Sequence, residues 1–192
     1  MVKIISNKIS ACKFPSTKRK VGVGALFIII LFSINLYASD IEARDLRLKF
    51  YQSVDNEKIA KSYLKELSSK SNSGNPLVKG YKAAVCMLMA KHVFNPYSKI
   101  KYFIDGKNEL EQSISLSPDN VELILIRFAI QTNAPTFLGY YSNINSDKQF
   151  LIAKLKDQAN ANVDTDLRKI MIQYLKQSGK CSNDEIKFLH LL

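Results

Sequence analysis

Ser117–Pro135, SPDNVELILIRFAIQTNAP, is the stretch on which the fold turns. Val121, Leu123, Ile124, Leu125, Ile126, Phe128, Ala129 and Ile130 leave no broad polar face when wound at 3.6 residues per turn, which is the pattern of a helix enclosed by other helices. The spacing predicts a start at Ser117, whose hydroxyl can cap free amides, with Pro118 in the first helical position and Asp119 and Glu122 near the positive end of the helix dipole. Pro135 marks the stop. Ser117, Pro118, Glu122 and Pro135 are therefore structural residues of a central helix.

Arg127 and Gln131 interrupt this segment one turn apart. An unpaired guanidinium in an apolar setting is costly, so Arg127 must meet an acid, helix-end carbonyls, water or a ligand. Two readings stay open: an internal clamp on the loop after Pro135, or part of a ligand site. That loop, Thr136–Asn145 (TFLGYYSNIN), is aromatic, and Phe137, Leu138, Tyr140 and Tyr141 are expected to tuck against the core around a bend at Gly139.

Outward from the central helix the chain reads as helices with polar joints and no hairpin signal. The first runs from Ile41 to about Ser53, with Ala43, Leu46 and Phe50 on one side. Asp55 or Asn56 caps a second, where Ile59, Tyr63 and Leu67 recur at helical spacing. Ser68–Asn75 (SSKSNSGN) reads as a flexible joint. Asn75–Pro76 and Asn95–Pro96 each pair a capping side chain with a first-turn proline, and so open a third and a fourth helix. On the fourth, Ile100, Phe103, Leu110 and Ile114 form a stripe that includes Lys107, whose stem can cover apolar neighbours while its ammonium reaches water or Glu111, or faces an internal cleft. Asn145 or Ser146 begins a sixth helix, Asp164 caps a seventh that stops near Gly179, and Ser182 with Glu185 forms a capping box for an eighth.

The chain has 192 residues and three cysteines. Residues 1–39 hold six of the 28 basic residues and no acid, leaving 22 Lys plus Arg against 17 Asp plus Glu, a net +5, on residues 40–192. With no basic run and no recognition motif, nucleic acid is not an expected partner. Lys18, Arg19 and Lys20 lead directly into the apolar run 21–38, the order of a secretory signal that is cleaved, or alternatively of an uncleaved N-terminal membrane anchor. Residues 1–39 are thus a signal peptide or anchor, and residues 40–192 a single helical domain exported to the periplasm or cell envelope, touching membrane only through residues 21–38 if these are retained.

Catalytic chemistry has no local signature. His92 and His190 are the only histidines, no Gly-x-Ser-x-Gly elbow is present, and no His-Glu-x-x-His run occurs. Cys86, Met87, Met89 and His92 have soft-ligand character, but His92 drifts round the helix and no second cluster completes a coordination sphere, so they read as core with a terminal histidine. No cofactor and no catalytic or metal residue is expected, and Cys86 and Cys181 can pair or stay single.

Gly106, Leu110, Ser113 and Pro118 fall at the small, large, small and proline spacing of the second helix of a tetratricopeptide repeat, and this segment resembles half of such a repeat. Gly80, Tyr81, Lys82, Ala83 and Ala84, Gly106 with Leu110 and Glu111, and Pro118, Asn120, Glu122, Arg127, Gln131, Pro135, Phe137, Leu138, Tyr140, Asp147 and Lys148 resemble a group of small exported helical proteins of Bacteroidetes-type bacteria that carries no assigned activity. Ile124 stands where that group suggests a second arginine.

The resemblance implies export and an all-α fold of about eight antiparallel helices in a tetratricopeptide-like array of helical hairpins. The expected function is a non-enzymatic scaffold or partner-binding module for an unknown protein or peptide. The alternative is a small-ligand binder or enzyme with a site near Tyr81, Arg127, Gln131 and Tyr140, and Lys107 is a further candidate ligand- or partner-binding residue.

Overall fold

The computed structural model describes residues 42–71, 74–157 and 163–192, all within the unit Ser39–Leu192. The described residues form eight α-helices, a 3-10 turn and no strand. These are α1 (residues 42–53), α2 (Glu57–Lys70), α3 (Pro76–His92), α4 (Pro96–Leu116), α5 (Val121–Asn133), α6 (Ile144–Lys156), α7 (Thr165–Gln177) and α8 (Asn183–His190), with the 3-10 turn at Thr136–Leu138. The signal or anchor segment 21–38 lies outside the described residues. Among the described helices none is long and apolar enough to cross a membrane.

Local chemistry explains most boundaries. Asn56 accepts from the Ile59 amide at 3.1 Å, Asn75 from Leu77 at 2.9 Å, Asn95 from Tyr97 at 2.9 Å, and Asp164 from Asp166 and Leu167 at 2.9 and 3.0 Å. Each satisfies an amide that a helix start leaves without a partner. Pro76 and Pro96 occupy first-turn positions where a missing N–H is harmless, and Ser182 with Glu185 completes a reciprocal capping box.

The start of α5 differs from the sequence expectation. Ser117 closes α4, its amide bonding to the Ser113 and Ile114 carbonyls, and the Asn120 amide returns to the Ser117 carbonyl at 3.1 Å. Pro118 and Asp119 therefore sit in a turn, where proline is as well suited to the second position as it is to a helix start. The cap is Asn120, whose side chain accepts from both Glu122 and Leu123 at 3.1 Å. Pro135 follows the C-cap Ala134 and opens the 3-10 turn, which ends at Gly139 with φ +63°.

Three further expectations shift. Of the aromatic loop, Tyr140 is buried and Leu138 half-buried, but Phe137 (81% exposed) and Tyr141 point outward, because the 3-10 turn presents successive side chains to different sides. Ser68, Ser69 and Lys70 belong to α2 rather than to a joint, the Ser68 and Ser69 hydroxyls donating back to helix carbonyls. Ile59 and Ile100 lie on exposed positions despite their apolar spacing.

The core is centred on α5, where Val121, Leu123, Ile124, Leu125, Ile126 and Phe128 are all buried. Around it Leu67, Leu110, Leu151, Leu155, Met171 and Leu175 are fully enclosed, each of the large side chains contributing roughly 1.5–3 kcal/mol by leaving water. Helices α3 and α4 approach most closely, and Gly106 is the reason: a Cβ there would lie 2.6 Å from the Ala83 carbonyl oxygen and 2.6 Å from Met87 Cγ.

Candidate functional site: an apolar groove above a buried ion network

Four helices contribute one stripe each to a groove of about 870 Å³. On α1 the stripe begins Arg47, Phe50 and Tyr51, and on α5 it is Glu122, Leu125, Ile126, Ala129, Ile130 and Asn133. These recur every three or four residues, so each set lies along one helical face. Helices α3 and α7 add Tyr81, Ala84 and Met87, and Leu167, Ile170 and Tyr174. The first turns of α4 and the Pro135–Leu138 segment complete the wall. Three large apolar or aromatic side chains of this lining are open to solvent: Tyr51 at 52%, Ile100 at 48% and Phe137.

At the buried end of the groove the lining turns ionic. Arg47 Nε donates to Glu122 Oε1 at 2.6 Å and Nη1 to Asp164 Oδ1 at 3.1 Å, while Nη2 reaches the second oxygen of both acids. The Tyr81 hydroxyl donates to Glu122 Oε1 at 2.5 Å. The cluster thus ties α1, α3 and α5 to the capping residue of α7. Burial pushes the Glu122 carboxyl above the usual carboxylate range, by more than Arg47 and Tyr81 pull it back. Asp164 also meets a burial penalty, but its bonds to Arg47 and to the Leu167 and Asp166 amides hold it below that range. Desolvation works against the charged form of Arg47, and the two acids outweigh it and raise its pKa. Burial and the adjacent Glu122 raise the Tyr81 phenol well above its ordinary value, so it stays a donor.

A second polar cluster lies between α4, α5 and α6. Arg127 grips Asp147 with two parallel bonds, Nε to Oδ2 at 2.8 Å and Nη2 to Oδ1 at 2.7 Å, and reaches Glu111 Oε2 at 2.9 Å. The Tyr140 hydroxyl donates to the other Glu111 oxygen at 2.5 Å, and Lys107 Nζ stands 5.3 Å from the Tyr140 ring centroid. Gln131 accepts from the Asn143 amide at 3.1 Å and donates to the Asn143 side chain at 3.3 Å, fastening the start of α6. Burial first, and then the bond to Glu111, raise the Tyr140 phenol far above its ordinary range.

Of the five residues singled out in the sequence, Lys107, Arg127, Gln131 and Tyr140 are brought together, while Tyr81 belongs to the groove network. Lys107 meets the tyrosine ring; no bond joins it to Glu111. Sequence reasoning missed Arg47, Asp164 as an ion partner, and Glu111 as the hub of the second cluster. Arg47 did carry a signal: it sits beside Leu46 and one turn after Ala43 on the apolar side of α1, the anomaly that draws attention to Arg127.

Met87 and Met89 are buried in the core, and Cys86 Sγ donates to the Tyr102 carbonyl at 3.5 Å. Burial pushes the Cys86 thiol up to about 11. Cys86 and Cys181 are both free thiols. Among the described residues no group of three or more His, Cys, Asp or Glu side chains is placed to hold a metal ion. In the groove, Lys91 donates to Asp55 at 2.9 Å and Asn133 Nδ2 to the Tyr174 hydroxyl at 2.6 Å, while the side-chain polar groups of Tyr51 and Lys99 meet no partner among the described residues. The site thus offers shape and apolar contact rather than a positioned acid–base pair. No protein-family model, no curated protein and no solved structure matches the chain.

Proposed function

We propose that this protein is an exported, non-enzymatic partner-binding module, and that the groove between α1, α3, α5 and α7 is where an apolar segment of another protein docks. The observation that carries this is a volume of about 870 Å³, near the top of the range of roughly 300–1,000 Å³ usual for binding pockets, combined with solvent-open Tyr51, Ile100 and Phe137. Exposed aromatic anchors beside a recessed apolar surface are what hot-spot interfaces use. We read the helices as antiparallel hairpins in a tetratricopeptide-like array, since joints of three residues separate α1 from α2 and α3 from α4. Export is supported by the basic-then-apolar order of residues 18–38, and the Bacteroidetes-type resemblance agrees with it.

A small-molecule or enzymatic site around Arg127, Gln131 and Tyr140 has less support, because those side chains already bond to Glu111, Asp147 and Asn143. The test is capture from the native envelope with the wild type and with Ala129→Trp, which fills the groove, after matched melting curves show that both fold. Proteins retained by the wild type and lost by the variant are the expected result. Equal capture by both overturns the groove as the binding face. Sequencing the mature amino terminus in the same preparation tests export, cleavage near residue 39 being expected.

A further inference from the structure

We infer that the groove's occupant is an amphipathic α-helix of the partner carrying an acidic side chain beside Lys99; this rests on the groove being the docking face. The first argument is an accounting of hydrogen bonds. An extended peptide brings one backbone donor and one acceptor per residue, and a groove that takes it must supply partners for those that face inward. Here Arg47 and Tyr81 both donate to Glu122, Lys91 donates to Asp55, and Asn133 donates to the Tyr174 hydroxyl. Among the described residues the Tyr51 hydroxyl, the Lys99 ammonium and one rim oxygen each of Asn133 and Asp55 are all that remain open on the lining side chains, too few for the backbone of an extended segment, and no sheet edge is present. A strand or polyproline segment laid here buries unpaired amides and carbonyls against Leu125, Ile126 and Ile130. A helix does not, since its backbone bonds are closed within itself and only side chains enter.

The second argument is charge. Among the charged lining residues Arg47 is neutralised by Glu122 and Asp164, and Lys91 by Asp55. Lys99 is exposed and has no acidic partner among the described residues. It stands on the first turn of α4, next to solvent-open Ile100, so the groove presents an apolar trough with one unopposed positive charge at its lip. The complement is a helix with apolar residues at i, i+3, i+4 and i+7 and an Asp or Glu at the end that meets Lys99. A lysine-rich amphipathic helix is disfavoured by the same charge.

The experiment is selection of a displayed library of random 16-residue peptides on the full mature domain, with counter-selection on Ala129→Trp. Retained sequences are scored for apolar period and for acidic content, and the best is measured against Lys99→Glu. The expected result is a period near 3.6, enrichment of Asp and Glu, and at least a fivefold weaker affinity for Lys99→Glu. A period of two, proline-rich sequences, or basic peptides unaffected by Lys99→Glu overturn the helical acidic occupant while leaving the groove in place. Peptides retained equally by the wild type and Ala129→Trp overturn the groove itself. Displacement of the selected peptides by dodecanoate at micromolar concentration, with no periodicity among them, assigns the trough to an acyl chain and also overturns the proposal.

Discussion

Replacing Arg47 with Met retains most of the aliphatic stem and removes the cation that holds Glu122 and Asp164. Both carboxylates are enclosed, with side chains 7% and 13% exposed, so the variant leaves two acids in a poorly solvated space with no counter-charge. Breaking a buried pair in this way typically costs about 3–5 kcal/mol. For a domain of this size each kcal/mol moves the midpoint by roughly 2–4 °C, so Tm should fall by about 6–20 °C. The magnitude reports the orphaned charges rather than the worth of the network. Replacing Arg47→Met, Glu122→Leu and Tyr81→Phe together removes the more deeply buried of the two orphaned acids, while Asp164 stays, still bonded by the Asp166 and Leu167 amides as the cap of α7. That triple variant should regain at least about half of the single variant's loss. Thermal unfolding by circular dichroism, backed by urea titration, measures both. A single variant that loses less than about 1 kcal/mol, or a triple variant as damaged as the single one, refutes the reasoning.

Asp164→Asn keeps a capping side chain but removes the charge that bonds Arg47. Because the folded pKa of Asp164 is depressed, its contribution is fully present above the ordinary aspartate value of about 3.9 and is lost as pH falls through the lower folded value, so the stability gap to the wild type should be widest near neutrality and close below about pH 4. Gly106→Ala gains about 1 kcal/mol of helix propensity but drives a methyl into the Ala83 carbonyl and Met87, an overlap worth about 1–3 kcal/mol; the clash is partly with backbone, so chemical denaturation should show a net loss of up to about 2 kcal/mol. Asn120→Ala should cost about 1 kcal/mol by the same measurement and Ser117→Ala less than about 0.5, and the opposite ranking would return the start of α5 to Ser117.

The elements were legible where one residue's chemistry decides a boundary. Asn75–Pro76, Asn95–Pro96 and Ser182–Glu185 can do little else but open helices, and they do. Ser117–Pro118 was ambiguous, because a proline serves the second position of a turn as well as the first turn of a helix, and only the competing cap at Asn120 separates the two. The apolar character of α5 was readable, and with it the anomaly of Arg127. The groove was not, since it exists only where stripes from α1, α3, α5 and α7 converge, and periodicity along each helix does not say which neighbour leaves space beside it. Arg47 and Asp164 are 117 positions apart, a separation across which nothing in the pattern of either segment names the other. Tyr81, grouped in the sequence with Arg127, faces Glu122 because α3 crosses α5 nearer its start.

The close approach at Gly106 bears on the order in which the molecule assembles. Helices α3 and α4 are joined by three residues and meet backbone to side chain with nothing bulky between them. Closing so short a loop is entropically cheap, so this pair is suited to nucleate early. The groove needs α1 and α7, which approach each other only after most of the chain has been laid down. The walls that α1 and α7 supply are therefore late-forming and held by long-range contacts, while the part supplied by the α3–α4 pair is local. Fluctuations that open the groove can then run their course without dissolving the scaffold, and a helical guest could enter through motions far smaller than global unfolding.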